Sequence, residues 1–299
     1  MLPSIPYIKF SISCKDNYIS SIIAIFASVF KLTVIQKMAN ISNKAIQMPA
    51  SAIRKLVPMA DAAKKEGVKV YHLNLGQPDI KSPVCALDAV KNFSQYNVSY
   101  SHSAGLMELR KGLVEKYYKK IGIDITVDEL IVTVAGSESV NLALEITCNP
   151  GDEVIVLEPF YTNYNTFAFM NGLTLKAIPT DIRNGFQIPP IEEFEKAITD
   201  KTKAILVCNP GNPTGTQYSK ESMLALGEIA KKHDLFLLSD EVYREFCYTD
   251  EPHFSAMNIP GLEQNVILID SVSKRYNLCG ARVGCIVSHN KDVMAAAMK

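Results

Sequence analysis

The sequence predicts an α/β fold, a mostly parallel sheet with helices on both faces. Short apolar runs carry that reading: Val154–Leu157, Ala204–Cys208, Leu235–Ser239, Val266–Asp270 and Gly284–Val287 are β-rich and nearly continuous in hydrophobicity. Strands buried on both faces read this way. Helical stretches separate several of them, Glu221–Lys232 being the clearest amphipathic one, and such alternation builds parallel sheets covered by helices. A third observation is compositional. At 299 residues and 47% hydrophobic content, the chain suffices for one large domain, or a large one with a small one. Disordered and collagen-like classes are excluded.

The elements follow in order. Residues 1–37 differ in character from the rest. Ile19–Phe30 is mostly apolar but is interrupted by Lys31 before Leu32–Ile35, short of the roughly 18 uninterrupted apolar residues of a membrane span. No A-x-A cleavage signal follows it. Met38 is therefore expected to be the natural start, residues 1–37 being a non-native or disordered extension, with a membrane anchor as the alternative. Ala52–Lys65 has helical spacing and Gly67 as a stop. Lys69–Leu75 reads as a strand ending in the turn Gly76-Gln77-Pro78-Asp79. Met107–Tyr118 is amphipathic, Asp128–Thr133 leads into a strand, and the segment after Gly136 is helical up to the Asn149-Pro150-Gly151-Asp152 turn.

Charge and motif content remove several function classes. Thirty-one Lys+Arg balance thirty-one Asp+Glu, so the basic footprint of a nucleic-acid binder is absent. Seven cysteines without a C-x-x-C pair read as buried thiols in a reducing compartment. The five histidines are scattered, and glycine-rich dinucleotide and P-loop fingerprints, H-E-x-x-H and G-x-S-x-G are missing.

Ligands of parallel α/β sheets bind beyond the carboxyl ends of the strands, so residues just after each strand matter most. Ala204–Cys208 runs into Asn209-Pro210-Gly211-Asn212-Pro213-Thr214-Gly215, and Leu235–Ser239 runs into Asp240-Glu241-Val242-Tyr243. Val266–Asp270 runs into Ser271-Val272-Ser273-Lys274, with Arg282 beyond. One crevice thus gains a carboxylate, a phenol, an amide, a lysine and an arginine. That set suits an anionic, phosphate-bearing aromatic cofactor held as a Schiff base.

The ordered motifs Asn-Pro-Gly-Asn-Pro-Thr-Gly, Ser-Asp-Glu-Val-Tyr, and Ser-x-Ser-Lys followed by Gly-x-Arg-x-Gly resemble the class I aminotransferases, fold-type I pyridoxal-phosphate enzymes of the aspartate aminotransferase superfamily. The resemblance runs from about Met38 to the C-terminus. It implies that Lys274 carries the cofactor and shuttles a proton, and that Asp240 pairs with the pyridinium nitrogen. Asn212 and Tyr243 would bond the cofactor's phenolate oxygen. Ala135, Gly136 and Ser137 would form the phosphate loop, completed by Ser271 and Arg282. Tyr161 would stack on the ring, and Tyr100 would reach a neighbouring subunit's phosphate, making the protein a homodimer. Gly76, in a turn that resembles the substrate-side loop, and Asn212 would meet the substrate. The same resemblance divides the chain into an arm with part of a small domain at 38–85 and a pyridoxal-phosphate-binding large domain at 86–299. It implies a cytoplasmic enzyme acting on an amino acid and a 2-oxo acid, without nucleic-acid or membrane partners.

The sequence departs from the pattern in two places. Relatives continue into a C-terminal segment with an arginine that clamps the substrate α-carboxylate, whereas no arginine follows Arg282 here. A small domain's worth of chain, on the order of a hundred residues, is expected to be missing. The chain is then expected to bind cofactor while turning over poorly. Ser137 also stands where some acidic-substrate members carry lysine. Aspartate with 2-oxoglutarate is the favoured pair. The alternatives are a lyase of the C–S type on the same fold, an inactive fragment, or a subunit that pairs with a complete homologue.

Overall fold

The computed structural model describes residues 39–51, 53–94 and 97–299; the expectations for residues 1–37 and Met38 lie outside them. The chain divides into two compact units at Gln47/Met48. In the first, Asn43–Gln47 forms a short helix, α1. All that follows concerns Met48–Lys299.

Helices α2 (Val57–Lys65), α3 (Val84–Lys91) and α4 (Met107–Lys116) precede the first strand, β1 (Leu130–Thr133). Then come α5 (Ala135–Thr147), β2 (Glu153–Glu158), α6 (Asn163–Asn171), β3 (Thr174–Pro179) and α7 (Ile191–Ala197). The remainder is β4 (Thr202–Cys208), α8 (Lys220–Lys232), β5 (Phe236–Asp240), β6 (Val266–Ser271), the one-turn helix α9 (Val272–Arg275), β7 (Gly284–Val287) and α10 (Lys291–Met298).

The strands form one sheet in the order β1-β7-β6-β5-β4-β2-β3. Pairings from β3 through β6 are parallel, while β7 runs antiparallel to both β6 and β1. Alternate residues of each strand feed two cores. Ile155, Ile205, Leu237 and Leu268 pack with Phe194 of α7 and Met223 and Leu226 of α8. Val156, Leu206, Leu238 and Ile269 pack with Val140 and Leu144 of α5, Tyr164 of α6 and Met294 of α10. Both faces are therefore covered, which is why β4, β5 and β6 read as unbroken apolar runs.

Two expectations need correction. Lys69–Leu75 is irregular rather than a strand. It joins neither edge strand of the sheet, β1 or β3, and Leu73 is left 95% exposed. The helix expected from position 52 begins as a turn at Arg54–Leu56 and becomes α-helical only at Val57, with Pro58 in its first turn. Proline fits there because the first turn needs no N–H donor. One strand went unanticipated: β3 mixes Lys176 into an otherwise short, edge-exposed pattern.

The sheet register lines up the functional strand ends. Cys208 of β4 pairs with Asp240 of β5, and Asp240 with Ile269 of β6. On β7, Gly284 lets the loop into α5 lie directly on the sheet. A Cβ at Gly284 would stand 2.4 Å from the carbonyl carbon of Ala135 and 2.7 Å from the Gly136 nitrogen. Backbone cannot yield there as a flexible side chain would. Gly284→Ala is expected to lower stability by about 2–3 kcal/mol, measured by urea unfolding; an unchanged midpoint would show that the loop is not held this closely.

Candidate active site

Beyond the carboxyl ends of β4, β5 and β6 lies a cavity of about 400 Å³. The turn after β1 and the start of α5 bring Ala135, Gly136 and Ser137 to its wall. The segment after β2 brings Tyr161, and the loop after β4 brings Asn212. Asp240 and Tyr243 arrive from β5, and Ser271, Lys274 and Arg282 from β6 and the chain after it. Gly76, just after the irregular Lys69–Leu75, closes one side. Tyr100 is the one candidate outside this cavity; its side chain is fully exposed.

Lys274 stands on α9, capped by the Ser271 hydroxyl, which accepts from the Ser273 nitrogen at 3.0 Å. Its ammonium donates to the Gly76 carbonyl at 2.6 Å and sits 5.7 Å from the centre of the Tyr243 ring. The Asn212 side-chain amide donates to the Tyr243 hydroxyl at 3.3 Å. Burial pushes that phenol's pKa up, so its oxygen stays protonated and able to donate.

Asp240 is fully enclosed, and burial raises its carboxyl to about 6. The hydroxyl of Tyr164 donates to its Oδ2 at 2.7 Å and the Val242 nitrogen to its Oδ1 at 3.3 Å, both favouring the ionised form but not offsetting desolvation. Two neighbouring buried acids are treated differently. Glu241 is paired with Arg244 and also accepts from Ser239, Ser255 and the Ala256 nitrogen. Asp270 is paired with Arg275. Among the described residues, Asp240 has no cation beside it. A buried carboxylate left this way calls for a cationic ligand group.

The opposite wall suits an anion. The first amides of α5 lack partners within the helix, and the helix dipole adds positive potential there. Arg282 uses one nitrogen to donate to the Cys279 carbonyl at 2.8 Å, leaving the rest of its fork for a ligand. Ala135 and Arg282 both hold left-handed backbone, φ 62° and 54°, a strain of about 1–2 kcal/mol each that is typical of ligand clamps. Lys274 and Arg282 are the cations among the described lining residues.

Several groups at the site were not anticipated. Tyr164, behind the cavity in the core, supports Asp240; it lies three residues after Tyr161, their rings edge-to-face at 5.5 Å, and that spacing was the available signal. Thr162 lines the cavity, and its hydroxyl is buried without a partner among the described residues. Cys208 and Cys279 complete the wall.

A cavity lined by a lysine amine, a buried carboxylate without a cation beside it among the described residues, and a helix N-terminus with an arginine suits an anionic, nitrogen-bearing aromatic cofactor. The comparisons make the class specific. A profile described as aminotransferase class I and II matches residues 68–299, and the chain belongs to that family, whose members use pyridoxal phosphate. The aspartate/prephenate aminotransferase of Thermus thermophilus is 32% identical over 261 residues, covering 87% of this chain and 67% of that protein. Putative aminotransferase YugH of Bacillus subtilis is 36% identical over 246 residues, covering 82% and 62%. The solved aspartate aminotransferase from Thermus thermophilus with maleate superposes with a TM-score of 0.80 at 32% identity, over 87% of this chain and 67% of that one. The chain thus spans about two thirds of the length of these relatives.

Three features of the lining suit the groups that this cofactor carries: the α5 N-terminus with Arg282 suits an anion, Asp240 a cationic nitrogen, and the Lys274 amine a carbonyl carbon. The raised carboxyl of Asp240 has a measurable consequence without cofactor. The folded state binds the Asp240 proton more tightly than the unfolded chain does. Ionisation therefore removes stability as pH rises from about 4 to about 6, on the order of 2–3 kcal/mol in all. Asp240→Asn is expected to be more stable than wild type at pH 7, with the gap closing toward pH 4 in urea unfolding of the cofactor-free protein. A gap independent of pH would contradict this.

Proposed function

We propose that this chain is a pyridoxal-phosphate-dependent aminotransferase that moves an amino group between an L-amino acid and a 2-oxo acid. The observation that carries the reading is Lys274 and Asp240 facing one cavity from the ends of adjacent parallel strands. In this reading the Gly136 and Ser137 amides, the Ser271 hydroxyl and the Arg282 fork hold the phosphate. The Asp240 carboxylate accepts from the ring N–H⁺ and keeps it charged, while Tyr161 covers the ring face. Tyr243 and Asn212 donate to the phenolate oxygen. When bound, the cofactor supplies an electron sink for the electrons released at substrate Cα. The Lys274 amine, in its unprotonated form, would take the proton from substrate Cα. For that it must leave the Gly76 carbonyl, and Gly76 and Asn212 then border the substrate.

Aspartate and 2-oxoglutarate are the proposed pair. Support comes from the relatives' names, aspartate and aspartate/prephenate aminotransferases, and from maleate, a dicarboxylate, in one structural neighbour. A cytoplasmic homodimer is proposed as well. The support for the dimer is Tyr100, whose side chain is fully exposed rather than turned into its own cavity.

Incubation with pyridoxal phosphate followed by borohydride reduction is expected to place the pyridoxyl label on Lys274 alone, read by peptide mass. Aspartate and 2-oxoglutarate should give oxaloacetate and glutamate, and Lys274→Ala should lower that rate by about 10⁴-fold or more. Label scattered over surface lysines would overturn the proposal, and ammonia with pyruvate in place of a new amino acid would replace it with lyase chemistry.

A further inference from the structure

We propose that Arg275 is the positioning residue for Lys274, holding its amine in register with Asp240 through a polar truss behind the cavity. The proposal rests on the reading of Lys274 given above. Lys274 and Arg275 are consecutive on the single turn of α9 but face opposite ways. Lys274 lines the cavity, whereas the Arg275 side chain is 5% exposed and enters the protein.

There its guanidinium reaches three elements. It donates to both oxygens of Asp270, at 2.9 and 2.8 Å, clasping the end of β6 to the turn that carries Lys274. It donates from Nε to Glu245 at 3.1 Å, in the chain just beyond Tyr243. It lies 3.8 Å from the centre of the Tyr117 ring at the end of α4. Asp270 is held from its other side by the Tyr118 hydroxyl at 2.8 Å and the Ser271 nitrogen at 2.7 Å.

The truss continues to the carboxylate. The Tyr117 hydroxyl donates to Glu245 at 2.6 Å and accepts from Arg244 at 3.4 Å. Arg244 is in turn paired with Glu241, the residue after Asp240. Lys274–Arg275 and Asp240–Glu241 are thus two adjacent pairs with the same division of labour. One member faces the cavity, and the other anchors the backbone from behind. A planar fork that binds two carboxylates and stacks on a phenol does what an ammonium cannot, so Arg275→Lys should keep the charge and lose the alignment.

The experiment compares wild type, R275K, R275M, the apolar double variant R275M/D270L and, as a control for stability alone, L226A in the α8 core. Each is incubated with pyridoxal phosphate, and two quantities are read: the rate of borohydride-trapped labelling at Lys274, and the visible circular dichroism of the bound cofactor, which reports its tilt. R275K and R275M are expected to label about tenfold more slowly or worse with altered dichroism, while L226A, though less stable, keeps both wild-type values. R275M/D270L removes the buried charges together and so is expected to fold yet label slowly, which covers the case of R275M failing to fold. Wild-type rates and dichroism in R275K or the double variant would overturn the positioning role alone. Absence of Lys274 label in wild type would overturn the functional reading and the proposal with it.

Discussion

A carboxylate enclosed at the end of a parallel strand, with no cation beside it, is the constraint on which the rest of this site turns. Burying Asp240 is unfavourable, and the fold answers only in part, with one phenol and one backbone amide. Its two acidic neighbours show that the protein can neutralise a buried acid when it needs to, through Arg244 for Glu241 and Arg275 for Asp270. Leaving Asp240 without a cation among the described residues creates an electrostatic demand that, in the proposed function, a cationic ring nitrogen would satisfy. The cavity's other features, amine, anion cup and stacking ring, acquire their spacing from that point.

The sheet converts this demand into geometry. Parallel β4, β5 and β6 end at nearly the same level, so the residues that leave them converge without long connections. β7 contributes differently. Running antiparallel between β1 and β6, it places Gly284 under the loop that opens α5 and lets the anion-binding amides sit directly on the sheet. The antiparallel insertion therefore fixes the position of the α5 N-terminus in the cavity, and the parallel strands fix that of Asp240 and Lys274.

Much of this was legible in the sequence because it is local. Asn212, Asp240, Tyr243, Ser271 and Lys274 each follow an apolar run by a few residues, and parallel topology alone tells where such residues gather. Strand-like patterning in Lys69–Leu75 misled because apolar content says nothing about whether a segment joins a ladder, and here it pairs with neither edge of the sheet. The segment crosses the cavity mouth instead, where Gly76 meets Lys274. The edge strand β3 was hidden for the converse reason, since half-exposed strands carry polar residues. Tyr164 was missed although its spacing from Tyr161 was visible. The truss of Arg275, Asp270, Tyr117, Glu245 and Arg244 joins residues more than a hundred positions apart, and no local pattern encodes such pairings.

The most direct test of the account is the titration of the Asp240 carboxyl itself, followed by carbon NMR of protein labelled at the aspartate side-chain carboxyls and assigned with Asp240→Asn. The account predicts a midpoint near 6 in the cofactor-free protein and a carboxyl ionised throughout that range once pyridoxal phosphate is bound, as a cationic neighbour requires. An ordinary carboxylate midpoint without cofactor, or one that cofactor leaves unmoved, would contradict the claim that this buried charge organises the site.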